Sequence, residues 1–186
     1  MPQATTDQQL TELDEVLDTT SRIVRGVRPE QYSELTPCPG FDVEQLLQHV
    51  LTWTSTYADR LSGPDGHGDA PVDVGPEPGD QFDAAAQDIK AGYRAGGKAA
   101  DDLPIGVLLM DFCAHGWDLA SATGQVAPYP DDATRDAREA GRSMLRPEFR
   151  GPDKDFGPEV PARADATPLQ RLVAFLGRDP RWTRAS

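Results

Sequence analysis

Three polar side chains interrupt an otherwise apolar stretch of the sequence, residues 105–123. Asp111, His115 and Asp118 stand at positions i, i+4 and i+7, which places them within about 60° of one another on a helix. An unpaired carboxylate in a core costs several kcal/mol, so this stripe requires a cation, a hydrogen-bonding partner or a wet cavity. An aspartate and a histidine at this spacing can bind one divalent metal ion from a single helix, or they can form an ion-paired core.

The stretch that carries these residues is predicted to be a buried helix over residues 105–123. Pro104 suits the first helical position, and Gly124 suits the left-handed residue just beyond a helix end. At about 100° per residue its apolar side chains point in nearly every direction, so we expect this central helix to be packed on several sides. These side chains belong to Ile105, Val107, Leu108, Leu109, Met110, Phe112, Trp117 and Leu119.

A second histidine of interest, His49, lies at the edge of another predicted helix. Asp42 and Gln45 form the pattern of a capping box that opens this second helix. The apolar stripe of the helix consists of Val43, Leu46, Leu47, Val50 and Tyr57. His49 lies beside Trp53, about 40° outside the apolar arc, so it can either reach inward or remain partly exposed.

In a helical bundle, His49 on the second helix can face Asp111 and His115 on the central helix. Two histidines and one carboxylate from two helices would leave coordination positions open. That arrangement is typical of catalytic metal sites and differs from closed structural sites, which supply four protein ligands.

The other candidate reactive residues receive structural interpretations. His67 lies in a stretch rich in glycine and proline, residues 63–79, and we expect a solvated loop histidine. The two cysteines are too few for a disulfide framework and are expected to be thiols. Cys113 points away from the polar stripe by more than about 90° and should be a buried small hydrophobe, and Cys38 belongs to a turn. Any thiol chemistry is therefore expected to depend on a metal ion and not on these cysteines.

Helical patterns follow one another along most of the chain, and no alternating strand pattern occurs. Residues 36–40 form a proline-rich rigid connector, and residues 148–166 are expected to be irregular. The sequence therefore predicts an all-α protein, a single domain over residues 1–186 with about four long helices and C-terminal additions. Beside the central helix, helices are predicted from Thr6 to Arg25 with Thr5 or Thr6 as cap, from Asp42 onward, from Gln81 to Lys98, from Asp131 or Asp132 to Leu145, and from Thr167 to about Gly177.

The charge of the chain excludes several classes of partner. Its 18 basic and 31 acidic side chains give a formal net charge of −13, which would repel phosphate backbones and anionic lipid surfaces. The sequence has no apolar run of transmembrane length and no signal-peptide pattern. We therefore expect a cytoplasmic protein that binds neither nucleic acid nor membranes.

Several short motifs together resemble a known family. They are residues 36–41 (TPCPGF) leading to 46–49 (LLQH), residues 115–120 (HGWDLA) with 123–124 (TG), and residues 156–160 and 176–180 near the C-terminus. As a set, and over nearly the whole chain, they resemble the metal-binding domain of mycothiol-dependent maleylpyruvate isomerases, in the actinobacterial branch of the DinB/YfiT-like superfamily.

This resemblance implies a DinB-like four-helix bundle, often a homodimer, with a divalent metal ion held by His49, Asp111 and His115. Zinc is expected first, with nickel, iron and manganese as alternatives. Asp118 would either accept a hydrogen bond from a ligand imidazole or cap a helix contact elsewhere. An aspartate stands here where the family usually has a glutamate, so the metal would lie closer to the helix or the helix would shift.

Three functions are compatible with these features. Maleylpyruvate isomerisation itself is not expected, because the resemblance implies an extra C-terminal domain with a catalytic arginine and this chain ends soon after the bundle. The first hypothesis is a mycothiol-dependent isomerase or S-transferase that acts on a small electrophile. The second is a metal-binding protein without chemistry, either stress-related or a partner-binding dimer. The third is a structural domain in which Asp111 and His115 form an internal salt bridge.

Overall fold

The computed structural model describes residues 7–63, 70–151, 154 and 156–184, and within them the chain is all-helical, as predicted. Seven α-helices occur in these ranges, and no strand does. Within these ranges, none of the helices combines the length and the apolar composition that a membrane span requires. The helices are α1 (Asp7–Arg25), α2 (Val43–Ser62), α3 (Pro78–Ala95), α4 (Lys98–Asp102), α5 (Ile105–Thr123), α6 (Asp131–Met144) and α7 (Pro168–Phe175).

The four long helices α1, α2, α3 and α5 form the predicted four-helix bundle. Helix α1 packs against α3 and α5, and α2 packs against the same two helices. The C-terminal helices are added on one side, where α6 covers α5 and α1, and α7 lies on α6 and α5. Helix α5 therefore contacts neighbours on several sides, which explains why its apolar residues are not confined to one stripe.

Helix α5 has the predicted bounds, and its buried side chains are distributed around the helix. Leu108, Phe112, Cys113 and Leu119 are all almost fully buried. The helix ends at Gly124, whose φ of 74° is the left-handed conformation that glycine adopts without strain. The predicted central helix is thereby confirmed.

The predicted caps of two other helices are also present. In α2 the Asp42 carboxylate accepts a hydrogen bond from the Gln45 backbone at 2.8 Å, and the Gln45 side chain accepts one from the Asp42 backbone at 3.0 Å. Thr167 and Gln170 form the equivalent pair at α7. Thr5, Thr6 and His67 lie outside the described residues.

The prediction of one helix from residue 81 to residue 98 is wrong at both ends. Helix α3 begins at Pro78, because proline is well suited to the first turn of a helix. It ends at Ala95, because Gly96 and Gly97 have φ values of 68° and 92°. These left-handed conformations break the helix, and residues 98–102 form the separate short helix α4.

Candidate metal centre

The structure brings together the three residues that were predicted to bind a metal ion. His49 comes from the middle of α2, and Asp111 and His115 lie one turn apart on α5. One potential ligand atom from each residue lies within 4.8 Å of the others. Nε2 of His115 is 3.3 Å from Oδ1 of Asp111, and the two imidazole centroids are 4.8 Å apart. Ligand atoms around tetrahedral zinc lie roughly 3.3–3.7 Å apart, so these residues, hereafter the His49 triad, could surround such an ion after small movements.

Two residues of the His49 triad, His49 and Asp111, have the protonation states that metal coordination requires, whereas His115 must first lose a proton. Burial, reinforced by the neighbouring His115, lowers the pKa of His49 to about 4, so His49 is neutral at pH 7 and has a free lone pair. Burial alone would raise the pKa of Asp111, but its contact with His115 outweighs this and lowers it, so Asp111 is a carboxylate. Burial alone would lower the pKa of His115, but Asp111 and Asp118 raise it well above its usual value. A divalent ion would therefore displace a proton from His115.

Tyr57 fixes the orientation of the Asp111 carboxylate. The tyrosine hydroxyl donates a hydrogen bond of 3.2 Å to Oδ2 of Asp111, and the ring is buried between α2 and α5. This bond leaves Oδ1 as the oxygen that faces His115. The sequence placed Tyr57 in the apolar stripe of its helix, and nothing in the sequence pattern indicated its hydroxyl contact.

On its other side, His115 faces Asp118. Nδ1 of His115 lies 3.4 Å from Oδ2 of Asp118, which is fully buried, but no well-aligned hydrogen bond joins them. The same Oδ2 accepts hydrogen bonds from Nε and Nη2 of Arg178 at 3.3 and 3.0 Å. Asp118 therefore lies next to the His115 imidazole without a well-aligned hydrogen bond to it, and it is hydrogen-bonded to Arg178 in another part of the chain.

Arg178 and Cys38 are site residues that the sequence reasoning missed. Arg178 is 5% exposed, and its Nη2 also lies 3.3 Å from Sγ of Cys38. Cys38 belongs to a turn, as predicted, and its backbone N–H bonds to the Thr36 hydroxyl. Both residues lie outside helices, where periodicity gives no information about the direction of a side chain.

Cys113, in contrast, has the predicted role. It is fully buried in the core, and this burial raises the pKa of its thiol. The Cys113 thiol therefore stays protonated and is a poor nucleophile.

A second group of potential ligands, formed by Cys38, His115 and Asp118, shares His115 with the His49 triad. This group already contains a cation, because the Arg178 guanidinium is hydrogen-bonded to both Cys38 and Asp118. A metal ion bound there would lie next to a fixed positive charge. The hydrogen bonds described for Arg178 do not involve the His49 triad, so the triad is the better site for a divalent ion.

The His49 triad lies in the wall of a cavity of about 410 Å³, within the range of pockets that bind small molecules. The cavity lies between α2, α5 and two C-terminal segments. Its wall combines apolar and aromatic side chains with few polar groups, which is usual for a ligand site. The lining residues are Cys38, Phe41, His49, Trp53, Tyr57, Val107, Met110, Asp111, Ala114, His115, Phe156, Leu176 and Arg178.

Comparison with known proteins identifies relatives of the chain. Residues 13–120 match the family described as "Mycothiol maleylpyruvate isomerase N-terminal domain". "Uncharacterized protein MT0763" of Mycobacterium tuberculosis (strain CDC 1551 / Oshkosh) is 30% identical over 172 residues, which cover 88% of this chain and 94% of the relative. "Uncharacterized protein Rv0738" of strain ATCC 25618 / H37Rv matches with the same identity and coverage. No solved structure gives a significant match.

Proposed function

The chain belongs to the mycothiol maleylpyruvate isomerase N-terminal domain family, and from that premise we propose that it is a metal- and thiol-dependent enzyme. In this proposal the His49 triad holds one divalent ion, zinc in the first place. The co-substrate is a low-molecular-weight thiol such as mycothiol, and the other substrate is a small electrophile. The reaction is an isomerisation or an S-transfer. A cytoplasmic homodimer is part of the same proposal.

One observation carries this proposal, namely that the His49 triad opens into a cavity of about 410 Å³. Three protein ligands leave at least one coordination position for a substrate, as in catalytic zinc sites. A structural site would be closed by four protein ligands and would need no adjoining cavity.

The residues of the chain have distinct tasks in this proposal. When bound, a divalent ion would lower the pKa of a thiol from about 8.5, so that the thiol is available as a thiolate at neutral pH. Tyr57 holds the Asp111 carboxylate in position through its hydroxyl. Asp118, itself held by Arg178, lies next to Nδ1 of His115 and favours the orientation in which Nε2 points to the metal.

The alternative of a structural domain without metal is favoured by one observation. The contact of 3.3 Å between Nε2 of His115 and Oδ1 of Asp111 is itself an ion pair when His115 is protonated. That candidate accounts for Asp111 and His115, but it gives no reason for His49 to face them from α2. A metal-binding protein without chemistry would explain why all three residues of the His49 triad lie together. Unlike the proposed enzyme, it would not bind a thiol at the metal ion.

Cobalt substitution tests the step that distinguishes these candidates. A thiolate bound to cobalt gives an intense charge-transfer band, so cobalt-loaded protein should show a new near-ultraviolet band when mycothiol is added. The band should titrate below the pKa of the free thiol and should vanish in His49→Ala. A Cys38→Ser, Cys113→Ser double variant is the matched control and should keep the band. A flat difference spectrum with cobalt present and saturating thiol contradicts the proposed enzyme.

A further inference from the structure

The cavity beside the His49 triad presents a mostly apolar surface to a ligand. Aromatic and aliphatic side chains from α2, α5 and the segments around residues 41 and 156 make up most of its wall. Burying such surface favours binding through the hydrophobic effect. The side chains concerned are Phe41, Trp53, Tyr57, Val107, Met110 and Phe156.

Arg178, the arginine in the cavity wall, is poorly suited to bind an anionic ligand. A guanidinium has five N–H donors, and four of them are engaged within the chain. Nε and Nη2 donate to Asp118, Nη2 also contacts Cys38, and Nη1 donates to the carbonyl oxygen of Leu176. The positive charge of Arg178 is thus balanced by the fully buried Asp118 carboxylate.

Arg60, an arginine of α2, is directed to a different partner. Its guanidinium carbon lies over the Trp53 ring, 5.8 Å from the centroid, and Arg60 is not among the residues that line the cavity. A guanidinium over an aromatic face is engaged in a cation–π contact.

His115, the third polar group in this part of the wall, lies between two carboxylates. Its Nε2 is 3.3 Å from Oδ1 of Asp111, and its Nδ1 is 3.4 Å from Oδ2 of Asp118. Asp111 also lines the cavity, so a carboxylate on a ligand would approach a carboxylate of the wall and be repelled.

We propose that the cavity accepts an uncharged, predominantly apolar or aromatic electrophile and rejects a carboxylate of the same size. This inference rests on the proposed function for the electrophilic character of the ligand, whereas the preference for a neutral molecule rests on the wall of the cavity alone. Desolvation of a carboxylate in this wall would lack a compensating partner, and burial of an unpaired charge is strongly unfavourable.

A matched pair of probes tests the preference by direct binding. 2-Naphthamide is neutral and 2-naphthoate is an anion on the same ring, and isothermal titration calorimetry gives both dissociation constants. The measurement is made on chelator-treated protein, and again on zinc-loaded protein saturated with mycothiol so that naphthoate cannot use an open metal position. We expect the amide to bind at least about tenfold more tightly than the carboxylate in both states.

A variant with an added cation provides the reverse experiment. Val107 lies in the cavity wall on α5, one turn from Asp111, and is partly exposed, so Val107→Lys should add a positive charge to the wall and shift the preference towards naphthoate. Val126→Lys is the matched control, because Val126 is 80% exposed and does not line the cavity. It should leave the ratio of the two dissociation constants unchanged.

The outcomes separate this inference from the proposed function. Equal or tighter binding of naphthoate by the natural chain in either state overturns the inference, and so does binding of neither probe. A protein that takes up no zinc but prefers naphthamide retains the inferred selectivity and contradicts only the proposed enzyme.

Discussion

At the scale of single residues, the Tyr57 hydroxyl determines how Asp111 can meet a metal ion. The hydrogen bond to Oδ2 restricts that oxygen, so Asp111 would present Oδ1 as a single ligand atom. Outer contacts of this kind typically change metal affinity by about 10- to 100-fold when they are removed.

We therefore predict that Tyr57→Phe weakens zinc binding by about tenfold or more, measured by competition with a chromophoric chelator. Tyr93→Phe is the control, because the Tyr93 hydroxyl is also in a buried region but donates to the carbonyl oxygen of Leu103 at 2.7 Å. It should lower the free energy of unfolding by roughly 1–3 kcal/mol without changing zinc affinity. Equal zinc affinity in both variants would show that the Tyr57 hydroxyl does not act on the metal.

Residue spacing was sufficient to predict that the Asp111 and His115 side chains lie side by side, because positions i and i+4 lie on the same face of a helix. His49 was predicted to face them on the basis of the bundle and the family resemblance. The positions of Arg178 and Cys38 at the site could not be predicted. Each lies in an irregular segment, and the direction of its side chain depends on how that segment packs against the bundle. Whether the His49 triad binds metal stays a prediction.

At the scale of helices, Gly116 allows α5 to pack closely against the segment that contains Tyr129. The Tyr129 hydroxyl donates to the carbonyl oxygen of Phe112 at 3.0 Å and lies 2.8 Å from the Thr20 hydroxyl of α1. A Cβ atom on residue 116 would lie 1.7 Å from this hydroxyl oxygen. A glycine is therefore required at this position, directly after His115.

Gly116→Ala should accordingly destabilise the protein by about 2–4 kcal/mol in urea unfolding, because the methyl group would displace the Tyr129 hydroxyl from its partners. Adding Tyr129→Phe to this variant should recover part of the loss, since it removes the atom in closest contact. Gly75→Ala is the control with a small expected effect, because its methyl group would meet only the end of the Gln81 side chain. A stability of Gly116→Ala equal to that of the natural chain contradicts this packing.

Helix boundaries were predictable where a cap or a helix stop has a clear chemical cause. Gly124, the Asp42 capping box and the Thr167 capping box all mark observed ends. The end of α3 was missed because the predicted helix continued through Gly96 and Gly97 to Lys98. Glycine can continue a helix or leave it through a positive φ, and tertiary packing decides between these conformations.

At the scale of the whole molecule, the site is assembled from segments that are distant in sequence. The bundle supplies α2 and α5, and the C-terminal segment covers them through Phe156, Leu176 and Arg178. This segment returns past Gly157, and Gly177 approaches it so closely that a Cβ on residue 177 would lie 2.8 Å from the Gly157 Cα. Such a long-range contact has no signature in local periodicity, so the part that the C-terminal segment plays in the cavity could not be predicted from the sequence.

The central claim is that His49, Asp111 and His115 share one divalent ion, and elemental analysis tests it most directly. The protein would be purified without chelator and without a nickel column, and metal would be measured per chain. We predict about one divalent ion per chain in the natural protein and in His67→Ala, and close to none in His49→Ala or His115→Ala. Metal-free natural protein, or an unchanged metal content in His115→Ala, would contradict the claim.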